Sequence, residues 1–146
     1  FGKLDFKKFH PGGSLSVKLK TVSDLMITGN KIPFVQEKML VKDALKVLTK
    51  KGLGVILVKK NHITKGILTD GDLKRLNRKF KTFQNLEIKN VMKKNPISVE
   101  KNTLAAKALL IMNDKKITSL CVHNKKQKNK TIGIIHIHNI LDSNIS

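Results

Sequence analysis

Residues 66–73 read GILTDGDL and residues 133–140 read GIIHIHNI. The two octets align at an offset of 67, which pairs Gly66 with Gly133, Thr69 with His136, Asp72 with Asn139 and Leu73 with Ile140. In each, a glycine opens a short apolar run that stops at a polar residue, and a second apolar position follows a few residues on. A strand feeding directly into a helix produces this pattern, and its recurrence points to an internally doubled unit.

Outward from the octets, the same order of elements repeats. Val41, Ala44, Leu45 and Leu48 fall at i, i+3, i+4 and i+7, one face of an amphipathic helix. Lys50 and Lys51 suit its C-terminal dipole, and Gly52 can end it. Val55–Val58 is a continuous apolar run, predicting a strand buried on both faces. Asn61 and His62 make a turn, Gly66–Thr69 is the next strand, and Asp70 can cap a helix carrying Leu73 and Leu76. Upstream, Ser23 and Asp24 precede a short helical or turn segment at Leu25–Met26. Ile32–Val35 is a short extended piece, since Pro33 disfavours helix at the residue before it.

The second half follows suit. Val91–Met92 matches Leu25–Met26, and Pro96–Val99 matches the extended piece. Asn102 or Thr103 caps a helix with Leu104, Ala105, Ala108, Leu109 and Met112 on one side. Thr118–Val122 is a strand, HNKKQKNK (123–130) a polar turn and Ile132–Ile135 a strand; a closing helix holds Ile140 and Leu141. Each half is thus β-α-β-β-α. The predicted class is α/β (α+β), with two such repeats packed as a pseudo-symmetric pair that buries strands neither could cover alone. Residues 1–21, with the loop signal HPGGS, read as a linker arm; 22–80 form repeat 1, 81–90 a connector and 91–146 repeat 2.

The totals narrow the function. A chain of 146 residues buries roughly 70% of its unfolded surface without staples. One cysteine, Cys121, excludes an internal disulfide framework and fits a reducing cytoplasm. No apolar run approaches the ~20 residues needed to span a bilayer, so no membrane partner is expected. The chain does not begin with methionine and reads as a piece of a longer polypeptide. The net charge of +20 suggests nucleic acid. Of the 30 basic residues, however, only Arg75 and Arg78 are arginine, Trp and Tyr are absent, and the lysines spread along the whole chain. Base reading and stacking favour other residues, so a solvated lysine surface is the preferred reading. Such a surface still draws anionic metabolites.

The octet turn itself has a chemical use. A strand ending at Thr69 places a hydroxyl at the end of the sheet, where the next helix presents free N–H groups to phosphate. Asp72 can accept from both hydroxyls of a ribose, and Gly71 permits close backbone approach. The same residues also suit a plain helix cap and turn. His136 and His138 are two apart, but no third ligand stands near them in sequence, so no metal is expected.

The doubled unit, closed by GILTDGDL and GIIHIHNI, resembles a tandem CBS domain pair over residues 22–142. The resemblance implies two interlocked α/β halves that bind adenosyl or other nucleotides, with Thr69 and Asp72 contacting phosphate and ribose. The second copy departs from the pattern, with His136 in place of Thr and Asn139 in place of Asp; Asn139 can still bond a ribose hydroxyl. FHPGGSL (9–15), Asp24–Met26, Ile32–Pro33, Leu53–Gly54, GILTDGDLKR (66–75), Ile117–Ser119 and HIHNIL (136–141) together resemble the C-terminal part of the D-arabinose 5-phosphate isomerase family. That family joins an N-terminal sugar isomerase (SIS) domain to a CBS pair and serves Kdo and lipopolysaccharide synthesis. The resemblance implies ligand contacts at Gly71, Ile32, Pro33, Thr118 and Ser119 as well. It also implies no required cofactor, a nucleotide effector (CMP-Kdo or an adenine nucleotide), an SIS partner domain, and a homo-oligomer formed through CBS pairing. His10 would belong to the isomerase site, where a base moves a proton between adjacent carbons, a role that histidine suits. Alone, the chain should be inactive. Two other readings stand beside this one: a structural module that only dimerises and scaffolds an isomerase, and a basic nucleic-acid-binding domain.

Overall fold

The computed structural model describes residues 19–79 and 82–143, which places His10 outside the described residues. In chain order the first half gives α1 (Val22–Leu25), β1 (Phe34–Gln36), α2 (Val41–Lys51), β2 (Val55–Lys60), β3 (Ile63–Thr69) and α3 (Asp70–Lys79). The second gives β4 (Lys93–Lys94), β5 (Ser98–Glu100), α4 (Ala105–Lys115), β6 (Ser119–Asn124), β7 (Gln127–His136) and α5 (Ile137–Ser143). The chain forms two compact units, and their boundaries cross the sequence repeats. One holds Thr28–Ile97 with Asn129–Thr131; the other holds the described residues up to Ile27, Ser98–Lys128 and those from Ile132 on.

In the Thr28–Ile97 unit the strand order is β1-β2-β3-β4. β1 runs parallel to β2, with Phe34 opposite Leu57, so a crossover is required and α2 supplies it. The helix buries Val41, Ala44 and Leu48, and ends at Gly52, whose φ of 71° is one that glycine adopts without strain. The run Val55–Val58 is buried throughout. β2 and β3 form a hairpin turned at Asn61, itself left-handed at φ 56°. The core joins Val35, Val41, Ala44, Leu48, Ile56, Val58, Leu68 and Leu73 to Phe83 and Ile88, with Val91 and Met92 packed against it. The lead-in to the second sequence repeat is therefore built into the first repeat's core. The Ile88 N–H donates to the Met39 carbonyl at 2.8 Å, and β4 pairs with β3.

The other unit repeats the plan with the order β5-β6-β7. β5 is parallel to β6, with Ser98 opposite Cys121, and α4 makes the crossover. Its core joins Val99, Ala105, Ala108, Met112, Leu120, Val122, Ile135 and Ile140 to Val22, with Leu25 and Met26 packed against it. Here the lead-in comes from the start of the first repeat. The Val22 N–H donates to the Thr103 carbonyl at 2.8 Å, and Ile27 exchanges backbone hydrogen bonds with Ile134.

The octet glycines now have a reason. A Cβ on Gly133 would stand 2.5 Å from Met26 Sδ and 3.0 Å from the Ile27 carbonyl oxygen. A Cβ on Gly66 would run into Met92 Sδ and stand 2.8 Å from the Lys93 carbonyl oxygen. In each unit the strand carries a glycine partway along, so that an incoming methionine segment can lie directly on it.

Three local expectations need correction. The polar turn at 123–130 is only Lys125–Lys126, because β6 and β7 run past their apolar parts as exposed hairpin arms. Lysine, asparagine and glutamine in such arms carry no apolar alternation to betray a strand. The α4 N-cap is Leu104, not Asn102 or Thr103; the Asn102 N–H donates to Glu100 Oε2 at 2.7 Å in a tight turn, while the Ala105 N–H donates to the Lys20 carbonyl at 2.8 Å. Asp70 is the first helical residue of α3, and the cap is made by its neighbours. Among the described residues no helix is long and apolar enough to cross a membrane.

Candidate functional site

The end of β3 and the start of α3 form a reciprocal cap. Thr69 Oγ1 accepts from the Asp72 N–H at 3.2 Å, and Asp72 Oδ2 accepts from the Thr69 N–H at 3.0 Å. This is the capping-box arrangement, with a threonine at the N-cap and an acid three residues on. Asp72 is buried, its side chain only 6% exposed. Its other oxygen, Oδ1, accepts from Arg75 at 2.5 Å and from Lys93 at 3.0 Å. Burial pushes the Asp72 carboxyl up, but the Thr69, Lys93 and Arg75 donors outweigh it and hold the group below the usual carboxylate range. Asp72 is therefore a carboxylate under all near-neutral conditions, set at a helix N-terminus and ringed by cations.

Sheet register brings the other candidates of this unit to the same end. Val55 pairs with Thr69 across β2 and β3, and the Leu57 N–H donates to the Pro33 carbonyl at 2.9 Å. The entry to β1, with Ile32 and Pro33 both buried, thus lies at the end of the sheet where Thr69, Gly71 and Asp72 begin α3. Gly71 is half-buried beneath the Arg75 guanidinium, and a Cβ there would lie 3.6 Å from it, an ordinary contact.

The matching turn at 136–142 keeps the geometry and loses the charge. The His136 N–H donates to Asn139 Oδ1 at 2.8 Å, as Thr69 does to Asp72. Histidine has no hydroxyl, so its Nδ1 accepts from the His138 N–H at 3.1 Å instead. Burial, with the neighbouring His138, pushes the His136 pKa below its ordinary value, which keeps the ring neutral and able to accept. The two imidazoles stack with centroids 4.9 Å apart. Among the described residues no cluster of three or more His, Cys, Asp or Glu could hold a metal ion. Thr118 is exposed, and its carbonyl accepts from the Ile137 N–H at 2.8 Å, which ties the start of β6 to the start of α5. Ser119 is buried, and its Oγ has no hydrogen-bond partner among the described residues.

The candidates thus fall into two groups: Ile32, Pro33, Thr69, Gly71 and Asp72 in one unit, and Thr118, Ser119, His136 and Asn139 in the other. Two participants were not foreseen. Arg75 stands one helical turn past Asp72 and is one of only two arginines, a spacing signal that was available. Lys93 reaches Asp72 through the pairing of β4 with β3, in which it stands opposite Ile67, and nothing local announces that pairing. A third polar contact, Ser98 Oγ to His123 Nδ1 at 2.5 Å, links β5 to β6 on the strand face that also carries Cys121.

Comparison with known proteins gives this geometry a family. Residues 22–79 and 88–145 each match the CBS domain model. The chain is 37% identical to arabinose 5-phosphate isomerase KdsD of Yersinia pestis, over 99% of this chain and 44% of that protein. With KdsD of Escherichia coli K12 it is 36% identical, over 97% of this chain and 43% of that protein. It spans less than half the length of these curated relatives. Among solved structures, CBSX2 in complex with AMP superposes with a TM-score of 0.74 at 24% identity, covering 86% of this chain and 96% of that one. The CBS domain of a bacterial CNNM/CorC family Mg2+ transporter in complex with ATP superposes at 0.75 with 13% identity, covering 95% of this chain and 96% of that one. At such identities the superpositions speak for the fold. With both halves matched and the fold shared, the chain belongs to the CBS domain family.

Proposed function

We propose that this chain is the regulatory CBS module of an arabinose 5-phosphate isomerase and that it senses a nucleotide at the Thr69–Asp72 turn. The observation that carries the reading is the buried Asp72 carboxylate beside Thr69 at a helix N-terminus, within reach of two cations. That set can accept from ribose hydroxyls and donate to phosphate. The 37% identity with a KdsD protein, over 99% of this chain and 44% of that protein, supports the parent activity, interconversion of ribulose 5-phosphate and arabinose 5-phosphate. The AMP and ATP complexes of CBSX2 and the CNNM/CorC domain support a nucleotide effector. In this reading residues 1–21 arrive from an SIS domain that His10 helps to complete, the CBS pair sets the oligomer, and the enzyme works in the cytoplasm. CMP-Kdo is the effector of first choice, because one turn would read both a nucleoside and an anionic sugar; adenine nucleotides are second.

A different reading has its own observation. Thr69 and Asp72 already satisfy each other, and the second turn lacks both residues. A module that only scaffolds the isomerase needs nothing more. Thermal unfolding of the chain with CMP, CMP-Kdo, AMP, ATP and S-adenosylmethionine separates the two. A ligand at a hundred times its dissociation constant adds about 2.7 kcal/mol and raises the melting temperature by several degrees. The sensing reading expects such a shift, lost in Asp72→Ala. A flat panel overturns it in favour of the scaffold.

A further inference from the structure

Oδ1 of Asp72 is not free to receive a ligand as it stands, since Arg75 and Lys93 occupy both of its lone pairs. One of its oxygens is taken by the Thr69 N–H, and the other by both Arg75 and Lys93. A hydroxyl donating to Oδ1 must displace charge-assisted bonds, which are about twice as strong as neutral ones. An uncharged nucleoside offers the displaced cations nothing in return. A phosphate offers them a replacement anion. Both cations can follow it, since their side chains are 59% and 65% exposed while Asp72 stays buried.

Among the described residues the second turn shows no such device. Aligned with the first, it places Ile27 where Lys93 stands, Asn139 where Asp72 stands and Asp142 where Arg75 stands. Residues 136–142 include no lysine or arginine.

We infer that Arg75 and Lys93 gate Asp72 by charge, so that the first turn takes one anionic nucleotide per chain and rejects the matching nucleoside. The inference rests on the nucleotide reading of this turn and adds its selectivity and stoichiometry. On binding, the cations move from the carboxylate to the ligand's phosphate, and the carboxylate is released to the ribose. S-adenosylmethionine carries a carboxylate, but its ammonium and sulfonium leave it net positive, so it is disfavoured beside the two cations.

Titration calorimetry on the 146-residue chain tests this with AMP against adenosine and CMP against cytidine. The expected result is one equivalent of one nucleotide, with its nucleoside weaker by about tenfold or more. In Arg75→Gln/Lys93→Gln the nucleotide should weaken while the nucleoside tightens, because the carboxylate is now unmasked. A merely structural role for the two cations would weaken both together. The gate is overturned if nucleoside and nucleotide bind equally to the unaltered chain, if two equivalents bind, or if the double variant loses both ligands alike. If neither member of either pair binds to chain that melts normally, and CMP-Kdo titrated into the same chain does not bind either, the nucleotide reading falls and the gate falls with it.

Discussion

The turns at 69–75 and 136–142 share a backbone and differ in charge. Each ends a strand, starts a helix and is capped by a side chain three residues on, Asp72 in one and Asn139 in the other. Each follows a glycine on which a methionine segment lies, Met92 on Gly66 and Met26 on Gly133. Around the first cap stand Arg75 and Lys93; around the second stand His136, His138 and Asp142. Packing has held the two copies to one geometry, whereas the chemistry laid over it has diverged. A cap needs only an acceptor, which Asn and Asp both provide. An anion site needs cations as well, and among the described residues the ion pairs to a cap side chain are at the first turn.

The largest expected effects test the shared part. Gly66→Ala and Gly133→Ala should each destabilise by about 1–3 kcal/mol, since the new methyl meets a backbone carbonyl as well as a movable methionine. Thermal or denaturant unfolding would read the loss. If one variant melted like the unaltered chain, the two copies would not share their packing.

Smaller effects test the divergent part. Asp72→Asn keeps an acceptor for the Thr69 N–H but loses two ion pairs and a negative charge at a helix N-terminus, and should cost about 1 kcal/mol. The reverse exchange, Asn139→Asp, meets no lysine or arginine of its own turn and should change stability by only a few tenths of a kcal/mol. Equal and opposite effects would mean that the cations around Asp72 contribute nothing to its stability.

The smallest effects are in pH dependence. Asp72 has a lowered pKa, so its contribution is complete above the unfolded carboxylate value of about 4 and is lost as pH falls through the lower folded value. His136 is lowered by burial and His138. His123 is lowered by burial and Lys128, against a smaller upward pull from Glu100. Both histidines favour the neutral form, so their contribution is present above about pH 6.5 and fades as pH falls below it. The melting temperature should therefore drop between about pH 7 and pH 5, and less steeply in His123→Asn, which keeps an acceptor for Ser98. An unchanged slope in that variant would remove His123 from the account.

Much of the fold was legible because it is written in short-range pattern. The face Val41–Ala44–Leu48, the stop at Gly52 and the buried run Val55–Val58 each follow from periodicity or one residue's backbone freedom. The doubling was legible from the octets alone. The pairing of Lys93 with Asp72 was not, because it depends on where a lead-in segment is packed, and that segment is read locally as part of the other repeat. The exposed arms of β6 and β7 were hidden for a related reason: strands that leave the core carry no apolar alternation. Of the candidate site, the Thr69–Asp72 spacing was visible, and its use as a cap was among the readings it allowed. The cations that set its chemistry lay one helical turn and one sheet partner away.

Hydrogen exchange read by mass spectrometry, with and without a saturating nucleotide, tests most directly whether the two turns have parted in function. Added protection is expected at residues 66–76 and 91–95, and none at 133–142. Equal protection in both turns, or protection confined to the second, would contradict it.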